Sequence, residues 1–223
     1  MGKGMPMAEA GNHRAAILGS IRRSLGASES ADAIAAEYAA IPRAYARSSE
    51  LDQRAVMELF EDRLVEYDAG VYHATAASIA GAIAEILTAR GKTGAAIPAG
   101  LPVDWLPEGF AFESAVEMDA DALDKVQGIL SGCTVAIAET GSIVLQNAAA
   151  QGARILSLVP DYHLCVVFAA QVVATVPEAF ERIEKTSTLP TTFISGPSAT
   201  ADIEMTRIKG VHGPRFLDVV LVS

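Results

Sequence analysis

Cysteine is nearly missing from this chain: Cys133 and Cys165 are the only two in 223 residues. They form no C-x-x-C pair, so a disulfide scaffold is excluded, and two thiolates fall short of the four that usually hold an iron-sulfur cluster. Both sit among apolar residues, which marks them as buried free thiols of a reducing compartment. Long apolar runs are missing too. The stretch from Leu164 to Val176 is interrupted by Gln171 and is shorter than the roughly 18 residues that suggest a membrane span. Basic charge is scarce, with 17 Lys and Arg against 27 Asp and Glu and a net charge of −10, and no basic stripe is interleaved with aromatics. That balance repels a phosphate backbone and excludes nucleic acid as a partner class. No apolar segment follows Lys3, so no secretory signal is expected, and the expected location is cytoplasmic. Common site motifs are missing as well. The chain has no H-x-x-x-H or H-E-x-x-H pair and no Cys/His cluster, so no dedicated metal site and no resident cofactor is expected. It also has no G-x-G-x-x-G, no G-x-x-x-x-G-K-[ST] and no G-x-S-x-G, which removes the familiar dinucleotide, P-loop and hydrolase-elbow readings.

What the chain does have is alternation of helical and strand patterns. Residues 1–11 lack periodicity and are expected to form an unstructured tail. Ile17, Leu18, Ile21 and Leu25 then recur at helical spacing with Arg14, Arg22 and Arg23 between them, and Gly26 ends the pattern. An Ala-rich stretch from Ser28 to Pro42 offers only Ile34, Tyr38 and Ile41 as anchors. Residues 12–49 therefore read as a helix and connector, either an arm that contacts a partner or a segment folded back on its own domain. From residue 50 to 223 the pattern is that of one α/β domain. Helices are expected from Leu51 to Val65, around Ile79 to Leu87, and near 120–131 and 177–187. Apolar strands are expected at Val71–Ala74, Ala95–Ile97, Phe110–Phe112, Val135–Ala138, Ile155–Val159, Leu164–Phe168, Phe193–Ile194 and Phe216–Val222. Near-continuous apolar strands between helices predict a mostly parallel sheet covered on both faces, a three-layer α/β/α architecture with an N-terminal helical arm.

Chemistry concentrates near residue 200. In SGPSATADIE, Gly196 permits backbone angles closed to other residues and close approach of a ligand, and Pro197 ends the extended chain. Ser198 or Thr200 can then cap a helix whose first turn holds Asp202 and Glu204. A loop opening a helix after a strand can cradle a small anion. The two acids instead suit acid/base work or the holding of a neighbouring loop, and capping alone accounts for the same residues. A few residues on, Gly210, His212 and Gly213 form a second glycine-proline loop with Pro214.

A strand–turn–strand reading fits VAIAETGSIVL, with Glu139, Thr140, Gly141 and Ser142 at the turn and Gly141 free to adopt positive φ. Ligands of open α/β sheets gather beyond the carboxyl ends of strands, so this turn and the loop after Ile194 can share a crevice. Glu139 there is either a ligand-orienting carboxylate or a solvated turn acid. His163 opens a strand and is either crevice-facing or structural. His13 and His73 read as structural, and His212 is the stronger functional histidine because special loop geometry surrounds it.

Taken in order and spacing, the blocks ETGSIVL, RILSLVPDYHLCVV, SGPSATADIE and KGVHGP, together with HRAAILGSIRRSLG, LFEDRLVEY and IPAGLPVDW, resemble the LUD-domain family over nearly the whole chain. Ser142 stands where the family pattern has Thr, which keeps a hydroxyl. The resemblance implies a fold of the NagB/RpiA/CoA-transferase group. It further implies a component of a cytoplasmic L-lactate oxidation system, carrying no cluster itself, whose partner subunits bear iron-sulfur clusters. It points to Glu139, Asp202, Glu204 and His212 as catalytic groups, and to Thr140, Gly141, Ser142, Ser195, Gly196, Ser198, Thr200, Gly210 and Gly213 as ligand-binding positions. The other function left open is an independent enzyme on a phosphosugar, acyl-CoA or folate-type substrate.

Overall fold

Six apolar residues around Asp218 at Phe216–Val222 and a similar run at Tyr162–Phe168 build two neighbouring strands of the main sheet in a computed structural model that describes residues 7–25, 30–200, 208–209 and 213–223. Contacts divide the chain into a unit of residues 1–45 and a unit of residues 46–223. In the first, helix α1 spans Met7–Leu25 and α2 spans Ala31–Ala40, the latter capped by Ser30, whose Oγ accepts from the Ala33 N–H at 3.1 Å. The helix α1 thus starts inside the expected tail, because Ala8, Glu9 and Ala10 are good helix formers. The Ala-rich connector is itself helical, and α2 buries none of its side chains.

In the second unit, α3 (Gln53–Glu66) and α4 (Ile79–Ala89) flank β1 (Gly70–Ala74). Then come β2 (Gly94–Ile97), β3 (Ala111–Ser114), a short α5 (Ala120–Leu123), β4 (Ile129–Ser131), β5 (Val135–Ile137) and β6 (Ser142–Gln146). After β7 (Tyr162–Phe168) and β8 (Val172–Val173) follow α6 (Val176–Ile183), β9 (Thr191–Ile194), β10 (Ala199–Thr200), β11 (Ile208–Lys209) and β12 (Phe216–Val222). Six strands in the order β1-β12-β7-β4-β2-β3 pair in parallel throughout. Side-chain alternation splits β12 between its two faces. Leu217, Val219 and Leu221 pack with Val56, Phe60 and Leu64 of α3, while Val220 and Val222 pack with Ile79, Ile83, Ile86 and Leu87 of α4. This is the three-layer α/β/α arrangement that continuous apolar strands demand.

Three sequence expectations fail in this unit. Ile155–Val159 is no strand: Arg154–Ser157 forms a 3₁₀ turn, since a short apolar run does not by itself distinguish strand from helix. The expected helix near 120–131 stops at Leu123, and Ile129–Ser131 is a fully buried strand. The hairpin VAIAETGSIVL does not belong to the main sheet. It joins a second, four-stranded sheet in the order β8-β5-β6-β9, with β5–β6 and β6–β9 antiparallel and β5–β8 parallel. One face of that sheet, with Ala136, Ile143 and Leu145, shares the core of α3. The other, with Val135, Ile137 and Val144, packs on Ala179 and Ile183 of α6.

A charge is buried at the heart of the main sheet. Asp218 is fully buried; it accepts from Arg90 Nε at 2.8 Å and Nη2 at 2.6 Å, and from Tyr162 Oη at 2.9 Å. Opposite it in register stands Gly70, where a Cβ would collide with the Asp218 carboxylate. Arg90 caps the end of α4, so the pair ties a helix terminus to β12.

Candidate functional site

The hairpin tip forms as its residues require. Gly141 takes φ +59°, and a side chain there would strike Arg63 of α3. Thr140 donates to Ser142 Oγ at 2.8 Å, and Ser142 shares a 2.6 Å hydrogen bond with Ser195 just past β9. Three hydroxyls predicted as ligand-binding thus form one chain between the turn and the first glycine-proline loop. Glu139 is exposed, and its carboxylate accepts from the Val176 N–H at 2.9 Å, supplementing the Thr175 cap of α6. It serves the helix start in this arrangement.

Past Ser195 the chain turns at Gly196, φ +81°, against Tyr67 at the end of α3, which leaves no room for a Cβ. Ser198 N–H donates to the Pro214 carbonyl at 2.8 Å, so the two glycine-proline segments meet there, and Gly213 lies beside Ser198. The expected helix start at Ser198 or Thr200 is replaced by strand: Ala199 and Thr200 pair antiparallel with Lys209 and Ile208. Ladder hydrogen bonds there satisfy backbone groups that a helix cap was expected to serve. Asp202, Glu204, Gly210 and His212 lie outside the described residues.

Under the joined loops lies a cavity of about 20 Å³, walled by Gly196, Pro197 and Pro214 above and Ile194 and Leu217 at the sides, with Ser157 and His163 as its polar side chains. His163 is 1% exposed. Its Nε2 is 2.7 Å from Ser131 Oγ, and its Nδ1 has no hydrogen-bond partner among the described residues. A buried donor or acceptor left this way costs about 1–3 kcal/mol. Burial also disfavours the charged ring, lowering the pKa to about 4 and keeping the imidazole neutral at pH 7. Next to Ser131, the Cys165 thiol donates to the Gly132 carbonyl at 3.7 Å, and contact with Cys165 together with burial raises the Cys133 thiol well above its usual pKa. Both cysteines are free and buried.

Strand alternation separates these features. Ser142 shares the face of Val144, toward α6, whereas Ile143 and Ile194 lie on the opposite face, where Ile194 walls the His163 cavity. The hydroxyl chain and the cavity are therefore joined through Ser195–Gly196 yet open on opposite sides of the second sheet. Ser131, Ser157, Pro197 and Pro214 were not among the sequence-derived site residues. A histidine inside the otherwise apolar run YHLCVVF was the available signal, since a polar ring in a core strand needs a partner. Among the described residues no three His, Cys, Asp or Glu side chains are placed to hold a metal ion, and no helix is long and apolar enough to cross a membrane.

Comparison with known proteins decides the family. The LUD domain model matches residues 25–222. The chain belongs to the LUD-domain family. Among similar proteins, Lactate utilization protein C of Deinococcus radiodurans is 42% identical over 176 residues, 78% of this chain and 82% of that one. Lactate utilization protein C of Geobacillus thermodenitrificans is 33% identical over 109 residues, a match spanning 46% of this chain and 45% of the relative. A crystal structure of a DUF162 family protein from Deinococcus radiodurans superposes with a TM-score of 0.68 at 39% identity, covering 78% of this chain and 99% of that one. In this LUD-domain protein the resemblance carried by the four sequence blocks is thereby borne out, as is the α/β/α fold.

Proposed function

We propose that this LUD-domain protein is a cluster-free component of a cytoplasmic L-lactate utilization system, binding a small organic ligand or the partner subunits that bear the iron-sulfur clusters. The observation that carries the reading is 42% identity over most of the chain to a protein named Lactate utilization protein C. The two cysteines support the division of labour: both are buried, Cys133 is held protonated, and together they are too few for a four-thiolate cluster. On this reading the ligand or partner meets the surface made by Glu139, Thr140, Gly141, Ser142 and Ser195 and by Gly196, Ser198 and Gly213. The protein positions its partner in the complex and is not itself the electron carrier.

Deleting the chain tests this directly. Growth on L-lactate as sole carbon source should be lost and restored by the intact coding sequence, and affinity purification from lactate-grown cells should bring down proteins with iron-sulfur absorbance. Normal growth of the deletion strain on L-lactate removes the proposal.

A further inference from the structure

Gly196, Pro197 and Pro214 line a cavity over a buried histidine whose Nδ1 has no partner among the described residues. Ser131 Oγ faces two acceptors, His163 Nε2 at 2.7 Å and Cys165 Sγ at 3.9 Å. A hydroxyl proton goes to a ring nitrogen at the shorter distance in preference to a weakly accepting sulfur beyond it, so Nε2 accepts and the ring proton sits on Nδ1. His163 therefore presents a buried N–H donor that lacks an acceptor among the described residues. The cavity it lines, at about 20 Å³, holds one oxygen-sized group, for which about 10–15 Å³ suffices. A lone water there would want two to four polar partners. The described lining offers His163 and Ser157 as polar side chains, the fewest that hold a water, while Ile194, Leu217, Pro197 and Pro214 suit a short aliphatic chain.

We propose that the Nδ1–H of His163 anchors a carboxylate oxygen of a small organic acid that enters between Pro197 and Pro214, its aliphatic part resting on the prolines and Ile194. A carboxylate is the strongest acceptor for a neutral N–H in such surroundings. The choice of acid rests on the lactate reading above, but the anchoring site does not.

The test uses the full chain with ¹⁵N-labelled histidine, whose ring nitrogens report tautomer and contact by NMR, with the His163 signals assigned by their loss in His163→Gln. L-lactate, propionate and 1,2-propanediol are each titrated to saturation. The expected outcome is an Nδ1-protonated His163 whose Nδ1 signal moves saturably with L-lactate and propionate and stays still with propanediol. His163→Asn, which keeps an N–H near the Nδ1 position, should bind propionate within a few-fold of the original chain. His163→Gln, which keeps only the nitrogen facing Ser131, should bind it about tenfold more weakly, the loss of one hydrogen bond to a charged acceptor. An Nε2-protonated ring, a response to propanediol alone, or no response to any of the three overturns the proposal. Should either variant fail to fold, the tautomer and titrations of the unmodified chain still decide it. If His163 stays silent while the deletion strain fails on lactate, only this anchor falls; if His163 responds while that strain grows normally, only the lactate reading falls.

Discussion

Asp218 shows how one side chain fixes its surroundings. With Arg90 and Tyr162 satisfying both carboxylate oxygens, the charge is compensated inside the sheet, and the pairing drives the Arg90 pKa further upward and, with burial, the Tyr162 hydroxyl pKa as well. Removing one partner strands the other. Arg90→Ala, which leaves the fully buried Asp218 carboxylate uncompensated, should lower unfolding free energy by about 3–5 kcal/mol in urea titrations. His163 governs a different response. Its folded pKa of about 4 lies below the ordinary 6.5, so between those values the unfolded chain binds a proton that the folded chain refuses. Stability then falls as pH drops through that window, by up to about 3 kcal/mol at 1.36 kcal/mol for each pKa unit. Asp161 and Glu178, whose carboxyl pKa values are lowered on folding, add their own acid-side loss below their unfolded values of 3.8 and 4.5. Urea midpoints at pH 6.5 and pH 5 should therefore converge in His163→Asn and differ in the original chain; equal differences in both would show that the ring is not held neutral by burial.

Secondary elements differ in how far they announce themselves. The strands β7 and β12 are legible because parallel strands buried on both faces read as unbroken apolar runs, and α3 and α4 because their apolar residues recur every three or four positions. Arg154–Ser157 misleads because four residues are too few to separate a turn of helix from a strand, and Ile129–Ser131 hides because three residues carry no period at all. The second sheet is invisible for another reason: β5 finds β8, and β6 finds β9, across long stretches of sequence, so only the local hairpin between them can be read. The site follows the same logic. Thr140, Ser142 and Ser195 were legible as polar positions beside glycines, and their hydrogen bonds give them a common place. The cavity residues come from four separate segments, and no spacing rule joins Ser131 to His163 or Pro197 to Pro214. Arg90 as the partner of Asp218 is equally silent in the sequence, since it arrives at the end of a helix more than a hundred residues away.

For the molecule as a whole, the unit of residues 46–223 holds four clusters of buried apolar side chains, whereas α2 in the first unit buries none. A chain lacking residues 1–45 should keep a single cooperative thermal transition and a melting temperature within a few degrees of the original, measured by circular dichroism. A transition that broadens or disappears would place part of the folding core in the N-terminal helices. The acidic surface, at a net charge of −10, keeps copies of the chain apart and favours partners with basic faces.

Strand β12 sits between β1 and β7, so among the described residues the first strand of the main sheet in chain order takes its ladder neighbour from the last. Until β12 docks, β1 has an open ladder and is cut off from the other four strands. Closing this ladder joins residues far apart in sequence, which slows folding, and the open edge that persists until then is what holdase chaperones can grip.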